Sequence, residues 1–336
     1  MTARPFQNIV VTALSTPVIK RRYSVTSDVV AFRRCARQYG AFNVKKYAPA
    51  HQTQLFFGQI LHQVLDRCHQ HFHGTHTPAT RGQLPDAGQI LTTAQIEGFF
   101  QAQAGARSAG AALPLPPTDI IRYFLEVEDG LKSRGIRAVT PDLRVKAVRI
   151  LQYFNALEGP DLYPRVVDSE HRLQADQQTH VLHGVVDLLI DAPGSSGAPA
   201  HCEMWDYKGS SRVGMTTADL DTYRFQMRVY ARLYELKHGV LPTKAILYFL
   251  NELDGPQTPA SRPVNAVLEV DLDPMDIQQA MAHFGATVTQ IEQARLNDSW
   301  PAAQVGGINE KDCAICDLRW DCPTPNNGQG VKLRIP

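Results

Sequence analysis

The chain has 336 residues, of which 43% are hydrophobic and 20% charged, with a formal net charge of +1. That length supports a large core, in one large domain or two small ones, and the composition is that of a globular protein. It excludes a membrane-spanning helix, since no stretch nears about 18 uninterrupted apolar residues. The first residues lack the basic region, apolar block and cleavage site of a secretory leader, so a cytoplasmic location with reduced cysteines is expected.

Charge is spread unevenly. Residues 1–50 carry nine basic side chains against one acid, Asp28, and residues 251–300 carry eight acids against two arginines. The basic segment reads either as a phosphate-contacting face or as a solvated surface.

Residues 24–47 read as a helix capped by Ser27 or Asp28, with Val29, Phe32 and Cys35 on one stripe, joined by Ala36 and Tyr39. Residues 55–72 form a second helix, in which Phe57, Leu61, Val64, Leu65 and Cys68 keep the 3.6-residue period. His62 sits at the edge of that face and alone reads as a hydrogen-bonded core histidine. His69, His71, His73 and His76 are expected at a frayed, solvated helix end. Residues 77–118 are rich in Gly, Pro, Ala and Gln and read as a loop-rich insertion with one short helix around Thr93–Gln103. Helices follow near Thr118–Ser133 and Leu143–Leu157, the latter burying Val145, Val148, Leu151 and Phe154.

Residues 166–173 and 181–190 read as strands. The second leads through the turn signal Pro193-Gly-Ser-Ser-Gly197 into a strand carrying Asp206-Tyr207-Lys208. Strand side chains alternate, so Asp206 and Lys208 share one face and Glu203, Trp205 and Tyr207 the other. A hairpin brings Asp187 close to the first face. Two carboxylates and a lysine on an apolar sheet demand pairing or a metal. Carboxylates suit Mg²⁺ or Mn²⁺, which would polarise a phosphodiester and acidify a bound water. The alternative is a salt bridge of Lys208 with Asp206 or Asp187 at a strand end.

A long helix, Leu220–Lys237, places Gln226 and Tyr230 on one face and Arg224, Arg228 and Arg232 in a second row. That row reads as a nucleic-acid backbone contact or as a solvated face. Strands at 244–250 and Val264–Val270 and a helix over Asp276–Leu296 complete the pattern. Near the C-terminus, Cys313, Cys316 and Cys322 have the spacing C-x₂-C-x₅-C, and Cys35 is the natural fourth thiolate. Four thiolates suit an iron–sulfur cluster or structural zinc, and one pair plus two single cysteines favours iron–sulfur. No G-x₄-G-K-[ST] sequence occurs, so the chain is not itself a P-loop ATPase.

Taken in order, His62, Asp187 in Gly-Val-Val-Asp, Asp206-Tyr207-Lys208, Gln226-x₃-Tyr230 and the split cysteine quartet resemble the PD-(D/E)XK nuclease superfamily. More narrowly they resemble its RecB-like branch with an iron–sulfur cluster, which includes the CRISPR-associated RecB-like exonuclease and the AddB nuclease domain. The resemblance runs from Ser24 to Pro323. It departs from the family at Val186, where the superfamily has proline before the first Asp, and at Ala36, where proline is frequent.

The resemblance implies an α/β fold with a restriction-endonuclease-like mixed sheet flanked by helices. Residues 1–336 would form a single RecB-like nuclease domain, residues 77–160 a helical insertion within it, and residues 313–322 with Cys35 an iron–sulfur clasp joining the two terminal segments. It implies His62, Asp187, Asp206 and the Tyr207 carbonyl as ligands of Mg²⁺ or Mn²⁺, with Lys208, Asp187 and Asp206 catalytic. Cys35, Cys313, Cys316 and Cys322 would hold a [4Fe–4S] cluster. Gln226 and Tyr230 would support the site and contact DNA, beside Arg224 and Arg228. Glu170, on the preceding strand, is a secondary acidic candidate. The insertion would roof a channel for a single strand, favouring free DNA ends. The implied activity is metal-dependent DNA cleavage, most simply as an end-dependent exonuclease on single-stranded DNA. DNA repair, CRISPR adaptation and phage defence, with a helicase or defence-protein partner, all fit. The alternatives are a non-catalytic DNA-binding or scaffold subunit and a zinc-stabilised interaction protein.

Overall fold

The computed structural model describes residues 20–47, 53–138, 140–192, 201–255, 257–303, 313, 316–319 and 322. Its centre is a six-stranded mixed sheet. The strands are β1 (Arg21–Ser24), β2 (Val166–Asp176), β3 (His180–Asp191), β4 (Cys202–Lys208), β5 (Lys244–Phe249) and β6 (Val267–Val270). The longer helices are α1 (Thr53–Phe72), α2 (Thr93–Ala109), α3 (Asp119–Ser133), α4 (Pro141–Leu157), α5 (Thr217–His238) and α6 (Pro274–Leu296). Among the described residues, no helix is long and apolar enough to cross a membrane.

Helices cover both faces. Between the sheet and α1–α4, Phe56, Ile60, Leu65, Phe124, Leu151 and Phe154 pack on Trp205, Tyr207 and Tyr248. On the other face, Val29, Met227, Tyr234 and Phe284 pack on Leu182, Met204, Leu247 and Phe249. Expected boundaries hold within a few residues for α1, α3, α4, α5 and α6. Helix α2 runs beyond the expected Thr93–Gln103, held at its start by a capping box between Thr92 and Gln95. The turn expected at Pro193–Gly197 lies outside the described residues. The ladder before it closes with Ala192 N–H donating to the His201 carbonyl at 2.7 Å.

The first expected helix is corrected. Its first residue, Ser24, is the last of strand β1, which pairs parallel to β3 from Arg21↔His180 to Ser24↔His183. The helical stretch then runs from Val25 to Val44 and breaks at Cys35, whose backbone is extended at φ −162° and ψ 111°. Ser24, not Ser27 or Asp28, is the cap: its hydroxyl accepts from Ser27 N–H, and the Asp28 carboxylate reaches back to Ser24 N–H at 2.8 Å. The helical period was legible here, but the partner strand of β1 lies far along the chain.

Two of the four histidines expected at a solvated helix end are the second correction, whereas His73 and His76 are exposed as expected. His69 and His71 are buried at 2% and 3% exposure. α1 does not fray, because α3 and the turn at Tyr163 cover its last residues. His71 Nδ1 lies 2.7 Å from the Tyr123 hydroxyl. The His69 ring meets Tyr163 edge-on at 5.0 Å and stacks on Tyr207 at 6.3 Å. Burial holds His69 neutral, lowering its pKa to about 3.

One topological feature sets up everything beyond it. β2 pairs with β3 along nearly its whole length. β1 and β4 must therefore share the other edge of β3. β1 stops at His183 and β4 begins at Leu188, leaving residues 184–187 between them without a strand on that side. Tyr230 of α5 fills this fork. A Cβ at Gly184 would lie 2.5 Å from the Tyr230 ring, so only glycine admits it. The Tyr230 hydroxyl faces the Val185 backbone, which opposes the rise that burial imposes on its pKa. Gly184→Ala is expected to destabilise the protein by about 1–3 kcal/mol through this overlap. Urea unfolding monitored by circular dichroism measures it, and an unchanged midpoint would contradict the packing.

Candidate active site

Asp187 is the last residue of the fork. In a regular strand, side chains two apart share a face. Here Val186 packs in the core under α5, whereas Leu188 packs in the core under α1. The strand changes face at Asp187. Across the ladder, Ser169 pairs with Leu188 and His171 with Val186, so Glu170 stands opposite Asp187. Glu170 has φ +52°, the left-handed region that a non-glycine residue enters at a cost of about 1 kcal/mol or more. The irregularity on both strands turns these two carboxylates towards α1.

α1 brings His62 to them. The helix passes close to the end of β4 one turn before His62: a Cβ on Gly209 would lie 3.4 Å from the Gly58 Cα. His62 Nδ1 then sits 3.2 Å from Asp187 Oδ1. The other oxygen of Asp187 accepts the Tyr207 backbone N–H at 2.7 Å. Ligand atoms of His62, Glu170 and Asp187 all lie within 4.8 Å of one another. An imidazole nitrogen with carboxylate oxygens is a donor set that fits a divalent cation. Asp66, one turn after His62, borders the group, with its carboxylate accepting from the Ser169 hydroxyl at 2.6 Å.

The second carboxylate lies on the opposite side of β4 from Tyr207, as strand alternation requires. Asp206 is buried and takes the Gln226 amide on Oδ1 at 2.7 Å. Its Oδ2 meets Lys208 Nζ at 2.5 Å. Lys208 also donates to Gln226 Oε1 at 2.8 Å. One amide thus uses its donor and its acceptor to hold the acid and the base of the D-x-K triplet. Tyr230, one turn further along α5, anchors the same helix in the fork. The salt bridge of Lys208 with Asp206, which the sequence posed as the alternative, is present.

The charges respond to this crowding. Burial alone would lower His62, but the charge and hydrogen bond of Asp187, with the charge of Asp206, outweigh it and raise His62 to about 9. Burial would raise Asp187, but His62 and Lys208 hold it below the usual carboxylate range. Burial raises Asp206; Lys208 opposes this and the Asp187 charge adds to it. Glu170 keeps one side open to solvent, yet burial of its carboxyl and the Asp187 charge raise it to about 7.

The remaining candidates are placed as follows. Arg224 pairs with Asp221 at 2.8 Å, and Arg228 pairs with Asp276 and donates to the Asp271 carbonyl at 3.3 Å. Their described partners lie on α5 and beside α6 rather than at the carboxylates. Cys35 sits at the helix break, and Cys313 and Cys316 are joined by a 3.2 Å backbone hydrogen bond. Cys35, Cys313, Cys316 and Cys322 are half-buried and none forms a disulfide. Two neighbours of the site escaped the sequence reading. Asp66 follows His62 by four residues, and Tyr223 precedes Gln226 by three, so helical spacing was the available signal.

With this geometry in hand, comparison with known proteins gives one decisive match. The family model of the PD-(D/E)XK nuclease superfamily matches residues 23–323. The chain belongs to that superfamily. Its members usually use divalent metals, and the His62–Glu170–Asp187 group is a possible site for one. Among solved structures, the chain is similar to a candidate exonuclease of Eubacterium rectale, with 10% identity, a TM-score of 0.35, and coverage of 82% of this chain and 85% of that one. No curated protein matches.

A ligating imidazole must be neutral, whereas His62 in the metal-free protein keeps its proton up to about pH 9. Cation binding must therefore release a proton, and Mn²⁺ affinity is expected to rise with pH across the neutral range, by up to about tenfold per unit. Titration calorimetry in two buffers of different ionisation enthalpy measures the proton count. Binding without proton release would exclude His62 as a ligand.

Proposed function

We propose that this chain is a metal-dependent deoxyribonuclease of the RecB-like branch, acting from the ends of single-stranded DNA. The observation that carries this reading is the placing of two charged pairs at one fork of the sheet, His62 with Asp187 and Asp206 with Lys208, the second pair held by Gln226. A degenerate copy kept only for its fold has no need of buried, mutually constrained charges, which are costly to maintain.

His62, Asp187 and Asp206, with the Tyr207 carbonyl, would hold Mg²⁺ or Mn²⁺, and Glu170 adds a carboxylate beside them. The ion would supply Lewis-acid polarisation of the phosphate and a more acidic water. The chain supplies the rest. Gln226 fixes the Asp206 carboxylate and the Lys208 ammonium relative to each other. Lys208 has three N–H donors; one goes to Gln226 while the ammonium pairs with Asp206, which leaves a donor to orient a water or steady phosphate charge. The fork leaves Asp187 without a backbone partner on that edge, so one of its oxygens can accept the Tyr207 N–H while the other faces His62.

The helices α2–α4 lie between α1 and β2 in the chain and pack over the same core as His62's helix. We read them as the insertion that roofs a strand-sized channel. Mg²⁺ or Mn²⁺, linear single-stranded DNA and Lys208→Ala form the direct test. Cleavage of linear but not circular substrate, abolished by EDTA and lowered by about 10²–10⁴-fold in Lys208→Ala, is expected. Retained activity in the mutant would overturn the assignment. Inactivity of folded wild-type protein on every substrate would favour a scaffold subunit.

The cysteines extend the reading. The segment leading to Cys313 already packs against the helix of Cys35: the Trp300 ring lies against Gly40 and 5.9 Å from Tyr39, and Lys45 pairs with Asp298 at 3.4 Å. The contact between the segments that carry Cys35 and Cys313 supports the reading of a [4Fe–4S] clasp within a single nuclease domain. Anaerobically purified protein is expected to carry about four irons and visible charge-transfer absorbance, both lost in Cys316→Ala. Stoichiometric zinc without iron would refute the cluster.

A further inference from the structure

Lys208 meets a third group that the family pattern does not explain. Its Nζ lies 4.7 Å from the centroid of the Tyr223 ring. Tyr223 stands three residues before Gln226 on α5, so the same helical face presents the ring and the amide to the lysine. The ring is itself braced. It packs against Phe249 with centroids 6.0 Å apart at 67°. Phe249 is the β5 residue in register with Lys208. The lysine and the aromatic that supports its seat therefore sit on neighbouring strands at one level.

We propose that Tyr223 is a positioning residue for Lys208, an aromatic seat that keeps the ammonium aimed at the scissile phosphate. The claim rests on Lys208 being the catalytic lysine. Its physical reason is competition. In the metal-free protein Lys208 is held chiefly by Asp206, at 2.5 Å. Asp206 is also the carboxylate that a cation would recruit. As its oxygens turn to the cation, the ion pair weakens and the flexible four-carbon side chain is freed. The Gln226 carbonyl still accepts a hydrogen bond, and the ring face attracts the cation without demanding an N–H. A ring is therefore the partner that holds the ammonium while leaving a donor for the substrate. The attraction is to the ring's face rather than its hydroxyl, so Phe serves and an aliphatic side chain of similar volume does not.

The test compares Tyr223→Phe and Tyr223→Leu on a linear single-stranded oligonucleotide with Mn²⁺, alongside ¹³C-lysine NMR of the same proteins. Tyr223→Leu is expected to lower kcat about tenfold with KM within about twofold, a split that marks lost alignment rather than lost binding. Tyr223→Phe is expected to retain wild-type kcat. The Lys208 Hε resonances, assigned by Lys208→Arg, are expected to be shifted upfield by the ring current in wild type and Phe and to return to ordinary values in Leu. Wild-type kcat in Tyr223→Leu, or equal losses in Phe and Leu, would overturn the proposal. Should Tyr223→Leu fail to fold, Tyr223→Met takes its place with the same expectations. If wild-type protein cleaves nothing, the nuclease reading fails. The NMR comparison then decides separately whether the ring seats the lysine, and an unshifted Lys208 in wild type would refute the contact.

Discussion

The structure depends on a shortage of backbone partners at one edge of β3. β1 and β4 leave that edge from opposite directions, and four residues between them face no strand. Buried peptide groups left unpaired are expensive, so the fold must supply substitutes. It does so with side chains: the Tyr230 ring packs over Gly184, and the Asp187 carboxylate accepts the Tyr207 N–H. The groups that repair the sheet are also those that place α5 and the first carboxylate. Packing and site geometry have a single cause.

The charged groups form a chain of dependence rather than a set of independent ligands. Asp187 stays ionised because His62 is protonated against it, and His62 stays protonated because Asp187 and Asp206 are near. Asp206 resists ionisation through burial and the Asp187 charge, and Lys208 counters that. Removing any one member redistributes the others. A cation entering such a group exchanges for protons and ammonium contacts already in place, which makes the metal-free arrangement a self-neutralised version of the working one.

Much of this was legible in the sequence, and the exceptions have physical reasons. Strand alternation correctly separated Asp206 and Lys208 from Tyr207, because β4 is regular. Helical periodicity placed His62, Gln226 and Tyr230, because those helices carry one apolar stripe each. Alternation misleads at Asp187, where the strand changes face, and nothing in Gly-Val-Val-Asp signals that change. Glu170 was visible only as an acid on a nearby strand, since its approach to Asp187 rests on a left-handed backbone that glutamate does not advertise. β1 went unread because four residues, Arg21–Ser24, carry too little pattern without their partner. The histidines at the end of α1 looked polar and solvated, but the aromatic rings that bury them come from Tyr123, Tyr163 and Tyr207, distant in sequence. Arg224 and Arg228 read as a basic row until their acidic partners on α5 and near α6 came into view.

The fork also dictates an order of assembly. Ser24 waits for His183 before β1 has a place, the gap stays open until Tyr230 of α5 arrives, and Gly40 receives Trp300 later still. Long-range pairings of this kind form slowly and late. A chain emerging from the ribosome therefore carries its acidic residues and its lysine long before they are neighbours. The capacity to attack nucleic acid arises in one late step, when the last elements dock, rather than accumulating as the protein is made.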